Sequence, residues 1–164
     1  MRVNKGLMIA ATFDPTKRTS LITVADMCRK IEENSISLPL YQRDISWTLQ
    51  KCIDLLNYQL WGKAPVSPIS INVINTVDSA VPQVSFIDRE IISTIERGQY
   101  SVVDGQQRLT TNYKAYCNHD DFRNIVLDLG KGEFTEVRDS IRSNQIPVGI
   151  LLNKEDTKLF EYTK

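Results

Sequence analysis

The sequence is nearly devoid of histidine: His119 is the single one in 164 residues. That scarcity excludes HExxH metalloproteases, Cys2His2 fingers and nuclease motifs that need two or three histidines. Cysteine is scarce too. Cys28, Cys52 and Cys117 are odd in number and far apart, with no CxxC pair, so they suggest neither a disulfide framework nor a thiolate zinc site. A surplus of one charge is also missing. The 20 basic side chains balance 20 acidic ones, whereas broad polyanion-binding faces carry excess Lys and Arg. No apolar run approaches the roughly 20 residues that span a bilayer. The stretch Leu7–Ala11 is too short for a signal-peptide core. These absences point to a cytoplasmic protein with no membrane partner.

Beyond these absences the composition is ordinary globular material. A hydrophobic content of 41% lies close to the average for packed domains, and the length suits one domain with short extensions. Residues 1–18 carry Arg2, Lys5, Lys17 and Arg18 against Asp14 alone and read as an irregular arm. Residues 19–155 form the domain, and 156–164 a polar tail. Ser20 to Asn34 is predicted as a helix, with Thr23 and Asp26 at capping-box spacing and Leu21, Val24, Met27, Cys28 and Ile31 as its buried stripe. ISLPLYQRDISW is expected to be extended, because Pro39 forces Leu38 out of helical geometry. Thr48 caps a second helix to about Trp61, with Leu49, Cys52, Ile53, Leu56 and Leu60 inward and Gly62 and Pro65 as stop signals.

Further on, residues 69–74 read as a strand, QVSFID as a short strand in a long loop, and YSVVD (100–104) as a buried strand. Residues 106–117 read as a helix, 123–129 as a strand, 133–143 as a helix and 146–152 as a last strand. The order gives an α/β (α+β) domain: a small mixed sheet flanked by helices. Cys28 and Cys52 fall on apolar helix faces and read as buried thiols. His119, in CNHDD, reads as a solvated helix C-terminus, outweighing a general base or metal ligand beside Asp120 and Asp121.

The chemistry concentrates in YSVVDGQQRLTT. A strand delivers Asp104 at its carboxyl end, Gly105 permits a sharp turn, and Gln106, Gln107 and Arg108 open a helix. Ligands of open α/β sheets sit beyond the carboxyl ends of strands, and the start of a helix suits a phosphate. Asp104 is placed to hold Mg²⁺ or orient a water. Arg108 is suited to grip a phosphate, and the glutamine amides to position a nucleophile. The competing account is an ordinary capped helix, with Asp104 as N-cap and Gln107 at the third helical position. A second polar cluster, Tyr41, Gln42, Arg43 and Asp44 before Trp47, changes the balance. Trp47 reads as a core aromatic. Arg43 acquires a ligand role only if it converges on Asp104 and Arg108.

Together, LPLYQR…W and VVDGQQRLTT resemble the N-terminal domain of the GmrSD-type restriction enzymes, a bacterial family with a ParB/sulfiredoxin-like fold. The resemblance covers residues 20–117 and extends toward the strands near 125 and 150. It implies nucleoside triphosphate (NTP) binding and hydrolysis coupled to DNA restriction in phage defence. By motif, Asp104, Gln106, Gln107 and Arg108 would be catalytic, and Tyr41, Gln42, Arg43, Gly105 and Arg108 would bind the nucleotide. Asp104 would hold Mg²⁺. Ile45-Ser46 stands where the family commonly has a Tyr/Val-type pair, a mild departure. The family's HNH-type nuclease half cannot be supplied by a chain whose only histidine is His119, so a nuclease partner domain or subunit is expected. The tail is expected to be truncated relative to longer members. Two alternatives are a ParB-like DNA-binding or regulatory module using the basic arm, and sulfiredoxin-like thiol chemistry resting on fold analogy alone.

Overall fold

The computed structural model describes residues 21–43, 47–63, 68–78 and 80–153. The basic arm, Asp44, Ile45-Ser46, Pro65 and the tail therefore lie outside the described residues. The first helix, α1 (Val24–Glu32), starts later than the pattern suggests because Thr23 is its N-cap, its hydroxyl accepting from the Asp26 N–H at 3.1 Å. Leu21 consequently precedes the helix and is fully exposed, and the buried face narrows to Cys28 and Ile31 with Met27 packed alongside. Strand β1 (Ile36–Pro39) comes next, buried along its whole length. Helix α2 (Leu49–Leu60) has Thr48 as N-cap, and buries Cys52, Ile53, Leu55, Leu56 and Asn57.

Strands β2 (Ser70–Val73), β3 (Gln83–Val84) and β4 (Tyr100–Asp104) join β1 in a four-stranded sheet of order β2-β4-β1-β3. The central pair, β1 and β4, is parallel, with Ile36 beside Tyr100 and Ser37 beside Ser101. The outer pairings are antiparallel. Helix α3 (Gln106–Tyr116) leads through a 3-10 turn, Asp120–Phe122, into a second sheet. That sheet is antiparallel, with order β6-β5-β7, from β5 (Ile125–Asp128), β6 (Glu133–Glu136) and β7 (Gln145–Pro147). Helix α4 (Val148–Asn153) closes the described chain. The α+β class holds, but the strands divide between a mixed sheet and an antiparallel one.

Two apolar clusters result, and α3 serves both. Ile31, Ile36, Leu38, Val84, Phe86 and Val102 pack with Leu109 of α3 under the first sheet. Cys52, Ile53, Leu56, Phe122, Ile125, Phe134 and Val148 pack around its Ala115 against the second. Each fully buried aliphatic or aromatic side chain contributes about 1.5–3 kcal/mol, so a helix anchored in both clusters is held at both ends.

Two expected elements are corrected. Residues 133–136 are a strand, and no helix covers 133–143. Gly132 at φ 68° turns the chain after DLGKG, and Phe134 points inward from a polar strand, the period of a half-buried strand. The edge of β6 is then sealed by a tertiary contact. The buried amide of Asn57 donates to the Phe134 carbonyl (2.9 Å) and accepts from the Phe134 N–H (2.6 Å). Likewise, 146–152 is not one strand: the chain bends after Pro147 into α4, whose Val148, Leu151 and Leu152 meet the second cluster at helical spacing. His119 does not end a helix in solvent; its Nδ1 accepts from the Asp121 N–H at 3.3 Å and caps the 3-10 turn. As expected, Cys28 and Cys52 are buried.

Replacing Asn57 with Ala strands two buried backbone groups of Phe134, a loss of about 2–4 kcal/mol in urea denaturation; a loss below about 1 kcal/mol would show that water replaces the amide. Asp128 generates a pH dependence. Its carboxylate accepts from Gln145 Nε2 and from the N–H groups of Gly130 and Lys131, and the Gln145 bond foremost holds its pKa below the usual carboxylate range. A depressed folded pKa stabilises above the unfolded value and is lost as pH falls through the folded one. Asp128→Asn should therefore flatten the acid limb of stability against pH below about pH 4, measured by denaturation across that range.

Candidate functional site

The parallel pairing of β1 and β4 sets their carboxyl ends side by side, and both polar motifs begin there. After β1 the chain does not stay extended. Pro39 to Gln42 close a turn in which the Gln42 N–H donates to the Pro39 carbonyl at 3.0 Å. Tyr41 stands 68% exposed and Arg43 is exposed beside it. After β4, Gly105 reverses the chain at φ 94°, a conformation that L side chains rarely adopt. A Cβ there would sit 3.0 Å from Ile69 Cγ1 and 3.3 Å from Arg108 Nη2, so strain and crowding both select glycine.

The capped-helix account of Asp104 fails on this geometry. Gly105 is the N-cap of α3 and no side chain caps that end. Asp104 remains the last residue of β4, with its carboxylate 77% exposed and 4.0 Å from the Arg108 guanidinium. Arg108 is mostly buried and donates to the Pro68 carbonyl at 3.2 Å, which fixes its direction. A mobile cation would lose more entropy on gripping a ligand.

Hydrogen bonds knit the two motifs together. Gln42 Nε2 donates to the carbonyls of Val102 (2.6 Å) and Val103 (3.0 Å), at the end of β4. Gln106 Nε2 donates to the Arg43 carbonyl at 3.1 Å. Between them lies an open cleft of about 410 Å³. Tyr41, Gln42, Arg43 and Trp47 form one wall, and Val103 to Arg108 form the other. Every residue singled out in the two motifs and described by the structure is therefore on this one cleft, including Asp104, Gln106, Gln107 and Arg108. Trp47 departs from a pure core role: it is half-buried, packs on the second apolar cluster and also lines the cleft.

One contributor has no motif. Arg89, in the loop after β3, donates Nη2 to the Gln42 carbonyl at 2.6 Å and to the Leu40 carbonyl at 3.4 Å, and so props the turn from behind. It does so from a left-handed backbone, φ 58°, a strained choice for an arginine. FIDRE carries no pattern that would have announced this. Among the described residues no cysteine lines the cleft. Burial pushes the Cys28 thiol up to about 12 and raises that of Cys117, against the thiolate that sulfiredoxin-like chemistry needs.

A family model, the GmrSD restriction endonuclease N-terminal domain, matches residues 24–163. The chain belongs to this family. It is thus a module of a restriction system. No curated protein matches the chain. Among the described residues no helix is long and apolar enough to cross a membrane.

Arg89→Met keeps an unbranched apolar stem and removes both bonds to the turn. Amide exchange at residues 40–43 should accelerate about 5- to 100-fold, the range for losing one or two such bonds, with the far-ultraviolet spectrum unchanged. Unaltered exchange there would show that the turn holds without its prop.

Proposed function

We infer that this domain binds a nucleoside triphosphate with Mg²⁺ in the cleft and hydrolyses it, as the nucleotide-dependent module of a GmrSD-type system whose DNA cutting falls to a partner nuclease domain or subunit. The observation that carries the reading is the convergence of Tyr41–Arg43 and Asp104–Arg108 on one cleft. Its size falls in the range of small-ligand sites, roughly 300–1,000 Å³. Arg43 and Arg108 supply positive charge from opposite walls. The start of α3 adds backbone N–H groups and the positive end of the helix dipole. A triphosphate is the ligand that uses all three.

Roles divide by what each side chain already does. Gln106 is engaged with the Arg43 carbonyl, so it holds the walls in register. Gln107 Oε1 is buried without a partner and is the amide that suits an attacking water. Gln42 Oε1 is in the same condition and suits a ligand hydroxyl. Tyr41 offers an exposed ring at the rim.

The residues fit Mg²⁺ of one kind. Among the described residues no group of three His, Cys, Asp or Glu side chains gathers as a cage. Mg²⁺ characteristically keeps several waters and binds through one or two carboxylates plus substrate phosphates. Asp104, exposed and uncapped, is such a carboxylate, and a metal arriving with the nucleotide would be held by it. When bound, Mg²⁺ neutralises charge on the phosphate oxygens.

Calorimetry with Mg²⁺ and each common NTP should show binding, and a phosphate-release assay should show turnover. Asp104→Ala or Arg108→Ala should lower affinity by tenfold or more, the scale of a lost charge-assisted contact. Absence of binding to every common NTP would refute the reading for this chain.

A further inference from the structure

A second cavity adjoins the cleft. Of about 320 Å³, it is lined by Trp47, Leu49, Cys52, Thr110, Thr111 and Phe122, with Lys114 and Asp121 at its margin. Trp47 belongs to both cavities. So does one stripe of α3. Gln106, Gln107, Thr110, Thr111 and Lys114 recur at spacings of three and four and share a helix face. The step from Gln106 to Thr110 is about 6 Å along the axis, at ~1.5 Å per residue.

One residue of its lining carries an unpartnered polar atom. Thr110 is 1% exposed and its Oγ1 has no hydrogen-bond partner. Its neighbour behaves conventionally: Thr111 Oγ1 donates to the Gln107 carbonyl, four residues back, at 2.8 Å. A buried hydroxyl that declines the usual back-bond forfeits free energy unless something else completes it. Thr110 also lines an otherwise largely apolar space floored by Leu49, Cys52 and Phe122. A flat, largely apolar ring with hydrogen-bonding edges is the chemistry that fits such walls.

We propose that this cavity receives the nucleobase of the bound nucleotide, with Trp47 against the ring and Thr110 Oγ1 bonded to its edge. The proposal rests on the cleft taking the triphosphate. The base then lies one helical turn farther along α3 than the phosphates. The Lys114–Asp121 ion pair, 2.6 Å apart at the margin, offers both a donor and an acceptor to ring substituents, so this cavity sets which base is preferred.

The test compares Mg²⁺-tripolyphosphate with ATP, GTP, CTP and UTP, each with Mg²⁺, by calorimetry on the full chain. Tripolyphosphate reports the cleft alone, and the excess affinity of an NTP reports the cavity. At least one NTP should bind tenfold or more tighter than tripolyphosphate. Thr110→Val, which keeps the shape and removes the hydroxyl, should weaken that NTP about five- to tenfold, the worth of one hydrogen bond. Leu49→Trp, which fills the cavity from its floor, should bring the NTP down to the tripolyphosphate level. Neither variant should change tripolyphosphate binding. With Trp61→Phe in the background, Trp47 is the only indole left, and its fluorescence should change more on binding the NTP than on binding tripolyphosphate, because only the base would lie against the ring. Equal binding of tripolyphosphate and every NTP to the wild type would overturn the base-pocket proposal and leave the cleft standing. Binding of neither would overturn both.

Discussion

The parallel alignment of β1 and β4 is the constraint on which the rest depends. Two strands more than sixty residues apart in the chain run side by side at the middle of the first sheet, with Ile36 beside Tyr100 and Ser37 beside Ser101. Parallel strands finish at the same edge, so the segments that leave them must meet. The chain leaves β1 through a turn carrying Tyr41, Gln42 and Arg43, and leaves β4 through Gly105 and the start of α3. An antiparallel pairing of the same strands would put the motifs at opposite ends of the sheet. The register is protected by burial: Leu38 and Val102 are completely inaccessible, and a one-residue slip would turn such side chains outward.

From that edge the site inherits its rigidity. Gly105 lets the chain reverse without a loop, so the distance from β4 to the helix is a single residue. Gln42 ties in the other wall by bonding the Val102 and Val103 carbonyls of β4. Arg89 then holds the turn that holds Gln42. Helix α3, seated in both apolar clusters through Leu109 and Ala115, cannot shift at its first turn without disturbing a core. The backbone that carries the exposed acid and the arginine four residues on is thus held by the fold itself, which lowers the reorganisation needed to bring their charges to bear.

Local signals are legible in the sequence and tertiary ones are not. Thr23, Thr48 and Gly62 mark helix ends through bonds made within one turn, and those boundaries are readable to within a few residues. The DGQQR helix is equally plain, yet its cap is not the residue that type alone suggests. Choosing between Asp104 and Gly105 depends on whether the backbone adopts a positive φ, at a position where Ile69 and Arg108 also leave little room for a Cβ. Residues 133–136 read as a helix because nothing nearby in sequence reveals that Asn57, 77 positions earlier, pairs with the Phe134 backbone. The turn at Tyr41 and its prop at Arg89 belong to the same class. The chemistry at the cleft is visible as residue types in order; its convergence comes only from the parallel pairing.

The distribution of unsatisfied groups argues that the cleft and the cavity beside it are one functional region. Buried polar atoms without partners carry a desolvation cost and each calls for an explanation. Among the described residues these side-chain atoms are Gln42 Oε1, Arg89 Nη1, Gln107 Oε1, Thr110 Oγ1 and Asn112 Oδ1. One belongs to the turn, one to its prop and three to the first two turns of α3. The second sheet contributes none, although its buried Asp128 and Gln145 are polar; both are engaged, as is Asn57 of α2, which bonds the sheet's edge. Among the described residues, the buried side-chain atoms without partners thus gather around the cleft, its prop and the part of α3 that leads away from it. Proteins break local rules chiefly where function requires it. The unpaired atoms on the two linings run from Gln42 and Gln107 in the cleft along α3 to Thr110 in the adjoining cavity. For the proposed ligand, that extent favours a whole nucleotide over a phosphate alone.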